Sequence, residues 1–417
     1  ILDEIEIFLK KKSFNVEYLL SGYENHTSEF LNTKSKFYKF KPDLILVFFS
    51  LNAFSNLFDT EFNIQGKESR AHLKQEILNN IKIITENSLN KLSTNIGIFN
   101  FIKPSNLKYD FFDPMEAQGS TEIYKDLNTS IKNLCLSNKS LFYFDIEHLI
   151  YKFGYENVID EKHWYQSMFP FNQKGSLEIA NYISRFVISQ NGRYHKLIIV
   201  DADNTLWGGV LGEDGYKGIQ IGNSTPGIFY KNFQKEIKFL KQKGIILALC
   251  TKNNIEDIKE LFQKRSSDMY LKLSDFSCIK SNWKSKQENI KEILSELNLS
   301  IENSIFVDDS NFEIDQIKNF LPDLDIFKVP TKISSFKDDF LKSGNFNTFA
   351  VTGEDLSRTK LYQEENVRKK QIPKFKSMED YIKNLKIELE FKNNSNSNLA
   401  RLSQMTQKTN QFNSTTL

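Results

Sequence analysis

The residues best placed for chemistry lie in one block of the 417-residue chain, Lys196 to Gly215, KLIIVDADNTLWGGVLGEDG. The apolar run Leu197–Val200 leads straight into Asp201, Asp203 and Thr205, and a Gly-rich turn follows at Gly208 and Gly209. A short apolar run bounded by turn residues is the pattern of a parallel strand covered on both faces. Open α/β sheets bind ligands just beyond the carboxyl ends of such strands. Two carboxylates two residues apart at that point would face the crevice, where paired carboxyl groups suit nucleophilic attack and proton transfer. Alone, the Asp-x-Asp pattern reads equally well as a solvated acidic turn.

Three further segments supply partners. The apolar run Ile245–Cys250 ends at Thr251-Lys252-Asn253-Asn254, which puts a hydroxyl at a second strand end. A lone threonine there would read as a helix cap. Lys286 opens the helical stretch Lys286–Leu297. A lysine at a helix start works against the helix dipole, so it should have another task; nearby Lys284 reads as a surface lysine. The run Ser304–Val307 then delivers Asp308-Asp309. Adjacent carboxylates at a strand end repel unless a cation compensates.

Together these four segments resemble the four motifs of the haloacid dehalogenase (HAD) superfamily. The resemblance implies Asp201 as nucleophile and Asp203 as general acid/base in phosphoryl transfer. Thr251 would bond a phosphoryl oxygen, and Lys286 would hold nucleophile and phosphate together. Mg²⁺ would be held by Asp201, the Asp203 carbonyl, Asp308 and Asp309. It also implies substrate contacts from Asn204, Thr205, Trp207, Gly208, Lys252 and Asn253. The intervals between motifs have no room for a large cap domain, so the site is expected to be open.

At finer grain the chain is similar to FkbH-like proteins of the HAD-IIIC group. The matching stretches are Asp203–Gly215, Gly244–Asn254, Asn282–Ile290, Phe306–Glu313, Glu161–Phe171, Thr352–Tyr362 and Gln407–Thr416. The sequence departs from the family pattern at Ala202, where Cys or Leu is commoner, and at Thr251, where Ser is usual. The resemblance implies an α/β fold in three parts: an SGNH hydrolase-like domain over 1–190 with its first strand missing, a HAD-like Rossmannoid parallel-sheet core over 191–345, and a helical linker with the incomplete start of an α+β GNAT-like domain over 346–417. It implies dephosphorylation of 1,3-bisphosphoglycerate and glyceryl transfer to an acyl carrier protein. The alternatives are a general HAD-IIIC phosphatase acting on a sugar or lipid-linked phosphate, and a scaffold that kept the fold without turnover. Cys250 reads either as a thioester-forming thiol or as a small buried residue at a strand end.

These motifs must be positioned by alternating helices and strands, which argues for doubly wound parallel sheets. In the first third, helical spacing over Ile1–Lys12 precedes strands at Phe14–Leu20, Pro42–Phe49, Asn95–Phe101 and Leu141–Ile146. Helices are expected at Ala71–Asn90, Ile123–Leu136 and Gly175–Ser189. Asp160 and His163 have the Asp-x-x-His spacing that resembles the last block of SGNH hydrolases, and Asn52 stands where such folds offer an oxyanion donor. No nucleophilic serine is visible, so capping and packing roles are the competing reading of Asp160 and His163. Further on, a helix is expected over Pro226–Lys243 and a strand at Asp325–Val329. Helical, linker-like stretches follow at Ser334–Asn347 and Asp355–Lys370. A strand at Ile387–Phe391 and a helix at Ser397–Asn410 close the chain.

The composition bounds the rest. A net charge of +2 implies no strong field for nucleic acid or an acidic membrane. Cys135, Cys250 and Cys278 make no disulfide framework, so a reducing cytoplasm is the default expectation. No apolar run approaches the ~20 residues needed to span a bilayer.

Overall fold

The computed structural model describes residues 1–21, 26–49, 66–92, 94–103, 111, 115–116, 119–160, 162–163, 169–344 and 346. Asn52 and the elements expected beyond 346, including the GNAT-like segment, lie outside the described residues. The chain divides into two compact units, Ile1–Tyr194 and His195–Leu417.

The first unit holds helices α1 (Leu2–Lys10), α2 (His26–Leu31) and α3 (Lys36–Phe40), strand β1 (Leu44–Val47), helix α4 (Lys67–Lys91), strand β2 (Asn95–Phe99), helix α5 (Ser120–Ser137), strand β3 (Leu141–Phe144), and helices α6 (Ile146–Phe153), α7 (Tyr155–Val158) and α8 (Gln173–Gln190). The strands form a parallel sheet in the order β1-β2-β3. Both faces are covered, as a parallel sheet requires. On one face α4 brings Leu73, Ile77, Ile81 and Ile84, spaced at helical intervals, against Ile123, Leu127 and Ile131 of α5. On the other, α1, α6 and α8 supply Ile5, Leu9, Ile146, Ile150, Ile179 and Ile183. Asn172 caps α8 by accepting the Gly175 N–H.

The strand expected at Phe14–Leu20 does not form; the segment has no regular structure. A cavity of about 1080 Å³ is lined by Val16, Tyr18 and Leu20 on one side and by Leu44, Leu46 and Phe48 on the other. Paired strands lie under about 5 Å apart. The alternating apolar pattern is present, but among the described residues the segment joins no ladder.

The second unit runs β4 (Leu197–Val200), α9 (Leu211–Gly218), α10 (Gly227–Gln242), β5 (Ile246–Thr251), α11 (Ile255–Lys264), β6 (Cys278–Ser281), α12 (Lys286–Leu297), β7 (Ser304–Asp308), α13 (Asn311–Phe320), β8 (Asp325–Lys328) and α14 (Phe336–Ser343). Its parallel sheet has the order β6-β5-β4-β7-β8. Every residue of β4, β5 and β7 is buried, which explains their unbroken apolar runs. The chain leaves β4 for β5 and β6 on one side, then returns to β7 on the other. That reversal makes the carboxyl end of β4 a topological switch point. Among the described residues no helix is long and apolar enough to cross a membrane.

Asp275, just before β6, is nearly buried and accepts bonds from Lys241 Nζ at 2.8 Å and from the Lys272 N–H at 2.8 Å, with Lys238 Nζ 3.2 Å away. Burial pushes its carboxyl up, but the bond from Lys241, the Lys272 amide and the two ammonium charges outweigh it and hold the group below the ordinary aspartate value. An acid with a lowered folded-state pKa contributes stability above its unfolded pKa and loses it as pH falls through the folded value. Asp275→Asn is therefore expected to lower the urea midpoint at about pH 7 and to approach the parent as pH falls below the ordinary aspartate value. Urea titrations across that range check this; a constant difference at every pH would rule it out.

Candidate active site at the carboxyl end of the second sheet

Four consecutive loops meet at the switch point. Asp201 directly follows β4, Thr251 ends β5, Lys286 begins α12 after β6, and Asp308 ends β7. The Asp201 N–H continues the ladder to the Val307 carbonyl at 2.9 Å, which ties the first and last of these loops together. Lys286 is 4 % exposed, and its ammonium lies 2.5 Å from Asp308 Oδ2 and 3.1 Å from Asp201 Oδ1. Its task is thus an internal one: from a helix start capped by Ser285, it reaches two buried carboxylates. Burial lowers the Lys286 pKa, but Asp201 and Asp308 outweigh burial and hold it above the ordinary lysine value.

Asp201, Asp308 and Asp309 each place a carboxylate oxygen within 4.8 Å of the others. Burial drives the Asp201 carboxyl above its ordinary range; Lys286 opposes the shift and Asp308 adds to it. Asp309 is also raised, by burial and by Asp308. Asp308 Oδ1 accepts the Ser310 N–H, whereas Asp201 Oδ1, although near Lys286, has no hydrogen bond of good geometry and is fully buried. One ammonium answers only part of three clustered charges. Hard oxygen donors with residual negative charge fit a small divalent cation such as Mg²⁺. The Asp203 carboxylate stands outside this cluster.

Asp203 is instead held by its own loop. Its Oδ1 accepts from Trp207 Nε1 at 3.0 Å and from the Leu211 N–H at 2.9 Å; its Oδ2 accepts from Asn253 Nδ2 at 2.8 Å. Asn253 Nδ2 also donates to Thr251 Oγ1 at 3.0 Å. The Thr251 oxygen is therefore an acceptor in this contact, which leaves its O–H to donate elsewhere. Asn204 takes up a left-handed φ of 51° and accepts the Gly209 N–H, closing the turn; it also bonds the Asp309 carboxylate.

Several residues expected to contact substrate also make contacts within the protein. Trp207 is fully buried and orients Asp203. Thr205 is fully buried, and its hydroxyl makes no hydrogen bond. Gly208 bridges Gln220 through the backbone, and a Cβ there would come within 2.8 Å of Gln220 Oε1 and 2.9 Å of the Tyr230 ring. Lys252 pairs with Glu313 at 2.6 Å. Cys250 lies in the apolar core with Ile290 and Ile293, and burial pushes its thiol well up. Burial of this kind disfavours the thiolate, which is the nucleophilic form. Burial among apolar side chains is the placement expected of a small strand-end residue, the alternative to a thioester-forming thiol. In the first unit, Asp160 accepts the Lys162 N–H at 2.9 Å and His163 Nδ1 lies 3.2 Å from the Phe171 carbonyl; both contacts are local to their loop.

The sequence reading missed a latch between two of the site loops. The Asn282 N–H donates to the Thr251 carbonyl at 3.2 Å, and Ser281 Oγ donates to the Asn253 carbonyl at 2.7 Å. Trp283 Nε1 donates to Asn254 Oδ1 at 3.2 Å. The polar Ser281-Asn282-Trp283 run before Lys286 was the available signal.

Residues 5–188 match the family described as FkbH, N-terminal domain. Among curated proteins no match is found. Among solved structures, the fold is similar to the N-terminal part of the protein BF1531 from Bacteroides fragilis, which contains a phosphatase domain complexed with Mg. The TM-score is 0.73 at 24% identity, over 83% of this chain and 90% of that one. Two 3-deoxy-D-manno-octulosonate 8-phosphate phosphatases also match. The Moraxella catarrhalis enzyme has TM-score 0.25 and 15% identity over 44% of this chain and 98% of its own. The cobalt-bound Haemophilus influenzae enzyme has TM-score 0.25 and 12% identity over 46% and 98%. Residues 5–188 thus resemble the FkbH N-terminal domain family, and the chain has the α/β fold of the Bacteroides protein, built on parallel sheets.

Proposed function

We propose that the second unit is a Mg²⁺-dependent phosphatase or phosphotransferase that works through an aspartyl-phosphate on Asp201. The observation that carries this reading is the buried Asp201–Lys286–Asp308 cluster with Asp309 beside it. A carboxylate attacks phosphorus only when the charge on the phosphate is neutralised. Asp201, Asp308 and Asp309, with the Asp203 carbonyl, would hold Mg²⁺, which supplies that neutralisation when bound.

The protein's own groups do the rest. An Asp201 oxygen forms the bond to phosphorus as the bond from phosphorus to the leaving oxygen breaks. Asp203 gives that oxygen a proton from its carboxyl, then takes one from the water that attacks phosphorus and releases Asp201 with inorganic phosphate. The donors from Trp207, Leu211 and Asn253 fix the Asp203 carboxyl in place for both transfers. The Thr251 O–H and the Lys286 ammonium are placed to donate to phosphoryl oxygens.

In its fuller form, as the FkbH likeness implies, the substrate is 1,3-bisphosphoglycerate: a carrier-protein thiol takes the glyceryl group at the acyl carbon and displaces the 1-phosphate, while attack by Asp201 at phosphorus removes the 3-phosphate. In that form the first unit is an SGNH-like adaptor, in which Asp160 and His163 are remnants. Phosphate release from 1,3-bisphosphoglycerate should require Mg²⁺ and stop with EDTA. Mass spectrometry of a phosphopantetheinylated carrier protein, incubated with the chain and that substrate, separates the two forms. A glyceryl adduct supports transfer. Release without an adduct leaves a phosphatase. No release from any phosphorylated substrate would overturn both.

A further inference from the structure

Trp283 is 72 % exposed, yet its ring is tied to a neighbouring loop. Its indole N–H is bonded to Asn254, and its neighbours Ser281 and Asn282 are bonded to the backbone of Asn253 and Thr251. Two of those three bonds go to residues that themselves contact Asp203 or adjoin one that does. Asp203 Oδ2 bonds Asn253, Asn253 is followed by Asn254, and Asn254 holds Trp283. On the loop's other side, Trp283 stands three positions before Lys286. An ordinary surface tryptophan exposes a large apolar ring to water at a cost and has no reason to be clamped between two site loops.

The sheet order says which part of a substrate this ring would meet. The cation-binding carboxylates Asp308 and Asp309 follow β7, on one side of β4. Trp283 follows β6, on the other side, beyond β5. Asp203 is bonded toward the β5 loop, hence toward Trp283. A group that receives a proton from Asp203 therefore leaves on the β5–β6 flank. From these placements we infer that Trp283 is a substrate-positioning residue: its exposed ring face packs against the body of the leaving group, and so selects phosphorylated compounds whose leaving group carries a ring-shaped or flat, uncharged face. The inference rests on the phosphatase reading in its plain form, without glyceryl transfer, because a glyceryl group offers no such face. Indole brings no charge, so it adds nothing for bare phosphate and little for a small acyl group; it rewards contact area.

The test compares kcat and KM of the full chain with two probes, p-nitrophenyl phosphate and acetyl phosphate, in Mg²⁺. Trp283→Ala should raise KM for p-nitrophenyl phosphate about 10-fold and leave kcat within about 2-fold, with acetyl phosphate nearly unchanged. Trp283→Phe should restore most of the loss. Phe312, 65 % exposed at the start of α13 on the β7 flank, is the control. Phe312→Ala should change neither probe. An unchanged KM in Trp283→Ala, or an equal rise with both probes, overturns the inference while the phosphatase reading stands. A parent chain that releases phosphate from neither probe overturns the phosphatase reading, and the inference falls with it.

Discussion

Asp201→Asn is expected to abolish phosphate release, by about 10⁴-fold or more, while the fold persists. The amide keeps the shape of the carboxylate and fits the same space beside Lys286. It has no charge with which to attack phosphorus, and its neighbours among the described residues are poorly placed to replace it: Asp308 is bonded by Lys286 and the Ser310 N–H, and Cys250 is buried, which disfavours its thiolate. Stability should move in the opposite direction. Burial raises the Asp201 carboxyl above its ordinary value, so the folded chain binds that proton more tightly than the unfolded chain does. Stability is then lost as pH rises from the ordinary value through the raised one. The variant lacks this penalty, so in metal-free buffer at neutral pH it should melt no lower than the parent. Acid-quenched mass spectrometry gives the mechanistic check. With an acyl phosphate, whose leaving group needs little help from an acid, Asp203→Asn should accumulate a phosphorylated chain and Asp201→Asn should show none. An adduct in Asp201→Asn would remove Asp201 from the nucleophile role.

Where the physical signal is local, the sequence carries it. β4, β5 and β7 are buried on both faces, so each had to be an apolar run, and the residue after each run had to stand at a sheet end. That reasoning locates Asp201, Thr251 and Asp308 without any contact information. Lys286 was legible for a different reason: its charge opposes the helix that it starts. What was not legible depends on which way a side chain turns or what lies beside it. Cys250 and Thr251 are neighbours, but only the threonine is bonded to a site residue, while the thiol packs against α12. Trp207, inside a run of site residues, turns inward to hold Asp203. Phe14–Leu20 has the alternation of a strand, but a ladder needs a partner, and the absence of a partner is invisible to a periodicity. The Trp283–Asn254 bond spans two loops separated in sequence by all of α11 and β6, so no spacing rule could show it.

Lys286→Met should cost about 3 kcal/mol of stability in metal-free buffer and lower phosphate release by about 10³-fold or more. Methionine fills much the same volume, so packing is a minor part of the loss. The larger part is electrostatic. Lys286 is the cation bonded to Asp308 and ion-paired with Asp201, with Asp308 fully buried and Asp201 6 % exposed. Without it, two desolvated carboxylates face each other and a third, Asp309, is adjacent. Removing one partner of a buried ion pair leaves the other's desolvation penalty in full. The variant should therefore respond more than the parent to added Mg²⁺, because a ligand that binds only the folded chain stabilises it by mass action. Here the ligand also relieves a repulsion that the parent relieves from within. Lys286→Arg should not restore activity: the guanidinium is a larger, planar fork and cannot place one compact charge between two carboxylates. Calorimetric melts of parent, Met and Arg variants, each with EDTA and with Mg²⁺, measure all of this. If Mg²⁺ raises the melting temperature of Lys286→Met no more than that of the parent, the carboxylates do not share the cation site, and the metal must be sought elsewhere in the chain.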